Sequence, residues 1–133
     1  MRATGTFTLT IDPQQPPYDT VDGVTLGRVT IEKQFQGDLE AASRVEMLSA
    51  RVGTTGSAGY VAIERVAGAL HGRAGSFVLQ HSGTMARGAP SLTVTVVPDS
   101  GTGALASLAG RMTIDIVDGE HRYAFDYTLD DSA

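Results

Sequence analysis

Glu64 and His81 are the two residues whose types and placement could move protons. They stand on strand-like segments on either side of a tight turn at His71-Gly72. A two-residue loop there pairs Leu70 with Arg73, Val66 with Phe77, Glu64 with Leu79 and Ala62 with His81. Glu64 then shares a face with Tyr60, Ala62, Val66, Phe77 and Leu79, and His81 sits diagonally across from it. A carboxylate among apolar neighbours needs a partner or a raised pKa. A Glu–His pair in an apolar cavity suits acid/base catalysis. The competing reading is that Glu64 meets an arginine or a tyrosine hydroxyl and simply fixes the fold.

Tyr60, Phe77, His121, Tyr123 and Tyr127 are also expected on inward faces. In a cavity their rings and hydroxyls would bind a ligand, although ordinary core packing accounts for them equally. Lys33 shares a face with Val29 and Ile31 near a strand end, so its stem is expected to carry the charge out to solvent at the rim. Asp99-Ser100-Gly101 has the form of an aspartic-peptidase loop. That chemistry needs two carboxylates sharing a proton, hence a symmetric dimer, and after Pro98 the same triplet makes a good turn. Gly101 and Gly103 lack the third glycine of a dinucleotide fingerprint. The three histidines lie in separate segments, so neither a metal site nor a cofactor is expected.

The elements that must position these residues are strands. Ala3, Gly5, Phe7, Leu9 and Ile11 alternate with threonines, a period of two with one apolar face, until Pro13, Pro16 and Pro17 end it. Asp12 to Asp22 reads as an irregular connection. Further strands are expected over Val24–Phe35, Leu39–Val52, Ser57–Leu70, from Arg73, and around Leu92 to Val96. Gln36-Gly37-Asp38 and Gly53 to Gly56 form the turns between the first three of these. Thr102 is expected to cap a short helical turn from Ala104 to Leu108, closed by Gly110. Asp118-Gly119 is the strongest turn signal and pairs Ile116 with His121, Ile114 with Tyr123 and Met112 with Phe125.

The count is about eight antiparallel strands in one domain spanning residues 1–133. Closure into a barrel would remove the edges that an open sheet would expose. Phe7, Leu9, Phe77, Leu79, Ile114 and Phe125 are then expected to face inward together. Val61, Ile63 and Val78 would project outward, leaving apolar side chains that self-association into a dimer or larger oligomer would cover.

Composition narrows the partners. Ten basic against fifteen acidic residues give a net charge of -5, with the cations scattered singly. No cationic footprint for nucleic acid or an anionic membrane is visible. The absence of cysteine removes disulfides and thiolate chemistry. No segment has the pattern of a signal peptide or a membrane span, and a cytoplasmic location is expected.

Gly56–Arg65, Gly72–His81, Val96–Gly103 and His121–Tyr127 resemble an uncharacterised bacterial family, domain of unknown function 3224, over nearly the whole chain. The resemblance implies a barrel similar to those of allene oxide cyclase and dirigent proteins: eight antiparallel strands around an apolar cavity. Relatives in that wider fold class include cyclases acting on unsaturated lipids or polyketides, but a fold does not fix a chemistry. The expected function is therefore to bind a small apolar molecule, with cyclase or isomerase activity through Glu64 and His81. The alternatives are a non-catalytic carrier or scaffold with a filled core, and a peptidase through Asp99.

Overall fold

The computed structural model describes residues 1–130, which fold into nine strands and one 3-10 turn. The strands are β1 (Arg2–Pro13), β2 (Asp19–Val21), β3 (Val24–Gly37), β4 (Leu39–Val52), β5 (Ser57–Leu70), β6 (Arg73–Ala86), β7 (Ala89–Val96), β8 (Ala109–Val117) and β9 (Glu120–Thr128). All pairings are antiparallel. Eight of the strands close into a barrel because β1 pairs with β9 on one side and with β3 on the other. β2 lies outside that ring as an appendage of β3, turned by Asp22-Gly23, both with positive φ. This short strand occupies the stretch expected to be irregular.

The expected hairpin registers are found. Leu70↔Arg73 through Ala62↔His81 and Ile116↔His121 through Met112↔Phe125 pair as the turn chemistry requires. His71 and Asp118 take positive φ ahead of their glycines, as two-residue hairpin loops demand. The β3–β4 ladder instead ends at Phe35↔Ala41, so the turn there is longer than the three residues expected. Gly37 is drawn into pairing with Gly5 of β1, and Leu39 with Leu70 of β5.

One end of the barrel is filled. Phe77, Phe125 and Tyr127 stack in succession, with ring centroids 5.8 and 5.3 Å apart. Phe7, Phe35 and Tyr123 form a second aromatic group beside them. Phe7, Phe77, Leu79 and Phe125 are buried, with Leu9 and Ile114 half-buried against the same core.

The β7–β8 connection plugs this end. It runs back along β6, with bonds from Val97 N–H to Val78 and from Thr102 N–H to Ser76, and it buries Leu105 and Leu108. The helical turn within it is shorter than expected, Gly103–Leu105, and Thr102 makes no side-chain cap. Its hydroxyl is bound to the Ser76 backbone and side chain, which compete for the same oxygen.

The other end is open. Ile11, Met85, Leu92 and Ile116 all have inward parity by register, yet each is exposed. They stand at the strand ends where the barrel mouth meets solvent. Among the described residues no helix is long and apolar enough to cross a membrane.

Candidate functional site

Midway between the two ends lies a buried polar cluster. Glu64 on β5 is wholly inaccessible to solvent, in a barrel interior where an unpartnered carboxylate would be very costly. Three donors meet it. Lys33 Nζ lies 3.2 Å from Oε1, Ser43 Oγ donates to Oε2 at 2.5 Å, and His81 Nε2 is 2.7 Å from Oε1. They come from β3, β4 and β6, so four adjacent strands converge on one carboxylate.

The register makes this convergence necessary. Lys33 faces Ser43, Ser43 faces Val66, and Glu64 is the next inward residue of β5. His81 faces Ala62, whose small side chain lets the imidazole lean diagonally toward Glu64. Lys33 also faces aromatic rings, its Nζ 4.8 Å from the centroid of Phe7 and 5.8 Å from that of Phe35. Cation–π attraction supplements the single salt bridge.

Lys33 thus corrects one expectation: it is buried and forms the salt bridge to Glu64 rather than reaching solvent at the rim. β3 continues to Gly37, and β1 pairs alongside it with Leu9 opposite Lys33. A position read as a strand end is therefore inside the closed ring. Glu64 is paired, but with lysine, serine and histidine rather than arginine or tyrosine. Lys33 and Ser43 carried a signal, since both continue the inward alternation of their strands.

Burial by itself would raise the Glu64 pKa. The hydrogen bond from His81, the charge of Lys33 and the Ser43 hydroxyl together outweigh it and hold the carboxyl below its ordinary range. Glu64 is therefore an anion that orients its donors. His81 uses Nε2 for Glu64, and no other bond to its ring is present among the described residues. No fully enclosed side-chain nitrogen or oxygen among them lacks a partner, so Nδ1 is not completely enclosed. An imidazole held by a carboxylate on one nitrogen and free on the other can give or take a proton there.

Above the cluster, toward the mouth, is a cavity of about 340 Å³. Ile11, Val29, Ile31, Met47 and Tyr60 supply most of its apolar wall, with Ser49 and Arg51 on the β4 side. Met47 stands opposite Ala62, and Ala62 opposite His81, so Met47 separates cavity from imidazole in the register. Tyr60 lies over Gly83, where an added Cβ would come within 2.5 Å of the ring. Burial raises the Tyr60 pKa, so its hydroxyl is neutral at pH 7.

Phe77, Tyr123 and Tyr127 are not at this cavity. They pack into the filled end, where the Tyr123 hydroxyl accepts from Leu39 N–H at 2.9 Å and donates to the Gln36 carbonyl. Burial raises the pKa of both tyrosines. The Tyr127 hydroxyl is bound to Nδ1 of His71, whose Nε2 faces Asp38 at 3.5 Å. His121 is half-buried against the Phe7 ring.

Asp99 is exposed on a turn with positive φ, and the Ser100 hydroxyl pins that turn by accepting from Val78 N–H at 3.0 Å. This is the geometry of a fastened turn. Among the described residues no three His, Asp or Glu side chains cluster so as to hold a metal ion.

The chain is similar over 98% of both lengths to a protein of unknown function from Shewanella oneidensis MR-1, known from a crystal structure, at 48% identity and a TM-score of 0.92. No curated protein matches it. These comparisons establish a family and a barrel and do not extend to the allene oxide cyclase likeness. Residues 3–127 match the family described as protein of unknown function (DUF3224), and the chain belongs to that family.

Proposed function

We propose that the barrel binds a small apolar molecule through its open end and that His81, held by Glu64, moves a proton on it in a cyclase- or isomerase-type reaction. The observation that carries this reading is a fully buried carboxylate 2.7 Å from an imidazole whose other nitrogen takes no bond, in a barrel whose open end holds an apolar cavity that reaches Met47, on the same rung as His81. A cavity of this size lies at the lower end of the range for small-molecule sites. In this reading Glu64 is a positioning residue and His81 Nδ1 the reacting atom. Tyr60 lines the pocket, while Phe77, Tyr123 and Tyr127 stiffen the barrel beneath it. A cytoplasmic location belongs to the same proposal.

Native mass spectrometry of protein taken from its own cells tests the binding, since a co-purifying small molecule is expected. His81→Gln should retain that molecule and lose any turnover of it. Failure to detect any bound molecule, together with no uptake of an apolar fluorescent dye, would defeat the reading. A second reading is supported by the filled half of the barrel: a non-catalytic carrier or scaffold, in which His81→Gln changes nothing but stability.

A further inference from the structure

We infer that the molecule taken by the open end is an anion, a carboxylate on a short apolar body, and that Arg51 receives its head group. The inference rests on the pocket reading above and adds the ligand's charge. The chain carries fifteen acidic and ten basic residues, so a random patch of its surface is more often acidic. The cavity departs from that balance: Arg51 lines it from the inward face, no Asp or Glu does, and Arg28 at its edge has the outward parity of β3, opposite Leu48.

Arg51 has the inward parity of β4, two residues on from Ser49 and four from Met47. It makes no ion pair or hydrogen bond among the described residues. An unpaired guanidinium beside apolar surface favours a planar anion that can accept two parallel N–H bonds.

The neighbouring polar groups fit the same head group. Ser49 stands opposite Tyr60, and Arg51 opposite Ala58 two rungs on, so the Ser49 hydroxyl is the next inward group beside the guanidinium on β4. Gly27 faces Ser49 from β3, and a Cβ there would lie 3.7 Å from the serine oxygen, so the glycine keeps that oxygen accessible. The other wall is Ile11, Pro13, Val29 and Ile31 of β1 and β3, with the neutral polar groups of Gln14, Gln15 and Thr25 beside them and no carboxylate. The pocket thus combines apolar surface and neutral polar groups with one inward cation, Arg51, and Ser49 beside it. About 340 Å³ is the space of roughly eleven waters at about 30 Å³ each, which suits a chain of about ten carbons.

The test compares three probes of one tail length, decanoate, decanol and decyltrimethylammonium, by calorimetry on the intact chain and on Arg51→Gln. Decanoate is expected to bind about ten-fold more tightly than decanol, as a charge-assisted bond at a partly exposed site allows, and the cation weakest. Arg51→Gln should remove the margin for decanoate and leave decanol unchanged, with the same thermal midpoint as the parent. Equal binding of decanoate and decanol would overturn the anion assignment while the apolar pocket stood. Loss of decanol affinity in Arg51→Gln would also overturn it, because the arginine would then be shaping the pocket rather than reading charge. If none of the three binds, the pocket reading fails and the assignment fails with it.

Discussion

Glu64 and His81 meet at 2.7 Å although neither stands opposite the other in the ladder: Glu64 faces Leu79, and His81 faces Ala62. The contact is diagonal and uses the space that a methyl side chain leaves. It ties together two strands already paired through their backbones, so its contribution lies in where it fixes the imidazole rather than in closing the barrel.

Glu64→Gln should be costly even though the amide is nearly isosteric. Lys33 is buried, and its ammonium would lose its counter-charge. Removing one partner of such a pair costs about 3–5 kcal/mol, whereas replacing both is often nearly neutral. Urea denaturation should therefore show Glu64→Gln strongly destabilised and Lys33→Met with Glu64→Gln restored to within about 1 kcal/mol of the parent. Equal losses in the single and double variants would mean that the lysine does not depend on the carboxylate.

The same cluster predicts an acid-sensitive stability. Glu64 has a lower pKa in the folded chain than its ordinary value of 4.5, because its three donors outweigh burial. A depressed carboxyl stabilises the fold above its unfolded pKa, and that stabilisation drains away as pH falls through the folded value. The parent should lose thermal stability below about pH 4.5 more steeply than the double variant, which lacks the group. Parallel curves for the two proteins from pH 7 to pH 3 would count against it.

Much of this site was legible in the sequence, and the part that was not has a physical cause. The Glu64–His81 diagonal followed from one two-residue turn, since a hairpin register is set locally. Lys33 was given the right face but sent to the rim, because its burial depends on β1, whose Leu9 lies opposite it across the barrel seam. Pairing between residues so far apart leaves no local pattern. The aromatic residues were correctly given an inward face, but parity says nothing of depth. Tyr60 and Tyr127 therefore looked alike, although one lines the mouth and the other the filled end.

Gly5 should tolerate no side chain. An added Cβ would lie 2.0 Å from the Gln36 carbonyl oxygen and 2.5 Å from the Tyr123 hydroxyl, at the point where β1, β3 and β9 meet. The carbonyl belongs to backbone and cannot swing aside. Gly5→Ala should cost about 3 kcal/mol or more, at or above the top of the usual range for overpacking. Gly83→Ala should be far milder, because the atoms it meets are the far end of the Tyr60 ring, which can rotate away. Its signature should be altered binding of decanol with a nearly unchanged melting temperature.

Self-association is the last expectation, and the outward face of β4 and β5 carries it. Leu48, Val61 and Ile63 are 47%, 55% and 50% exposed, and Leu48 stands opposite Val61 in the ladder, so the three form one patch, whereas Val78, also expected there, is half-buried beside the β7–β8 connection. Separate exposed apolar residues are ordinary, but a contiguous group on a flat sheet face favours burial against a like surface. A two-fold pairing of two such faces would satisfy both copies at once. Light scattering should then give at least twice the monomer mass of 13.9 kDa at micromolar concentration. Val61→Lys with Ile63→Glu should return the monomer without lowering the urea midpoint of the isolated barrel, since neither side chain contributes to its interior. A parent that stays at 13.9 kDa up to millimolar concentration would show that the patch is left open to solvent.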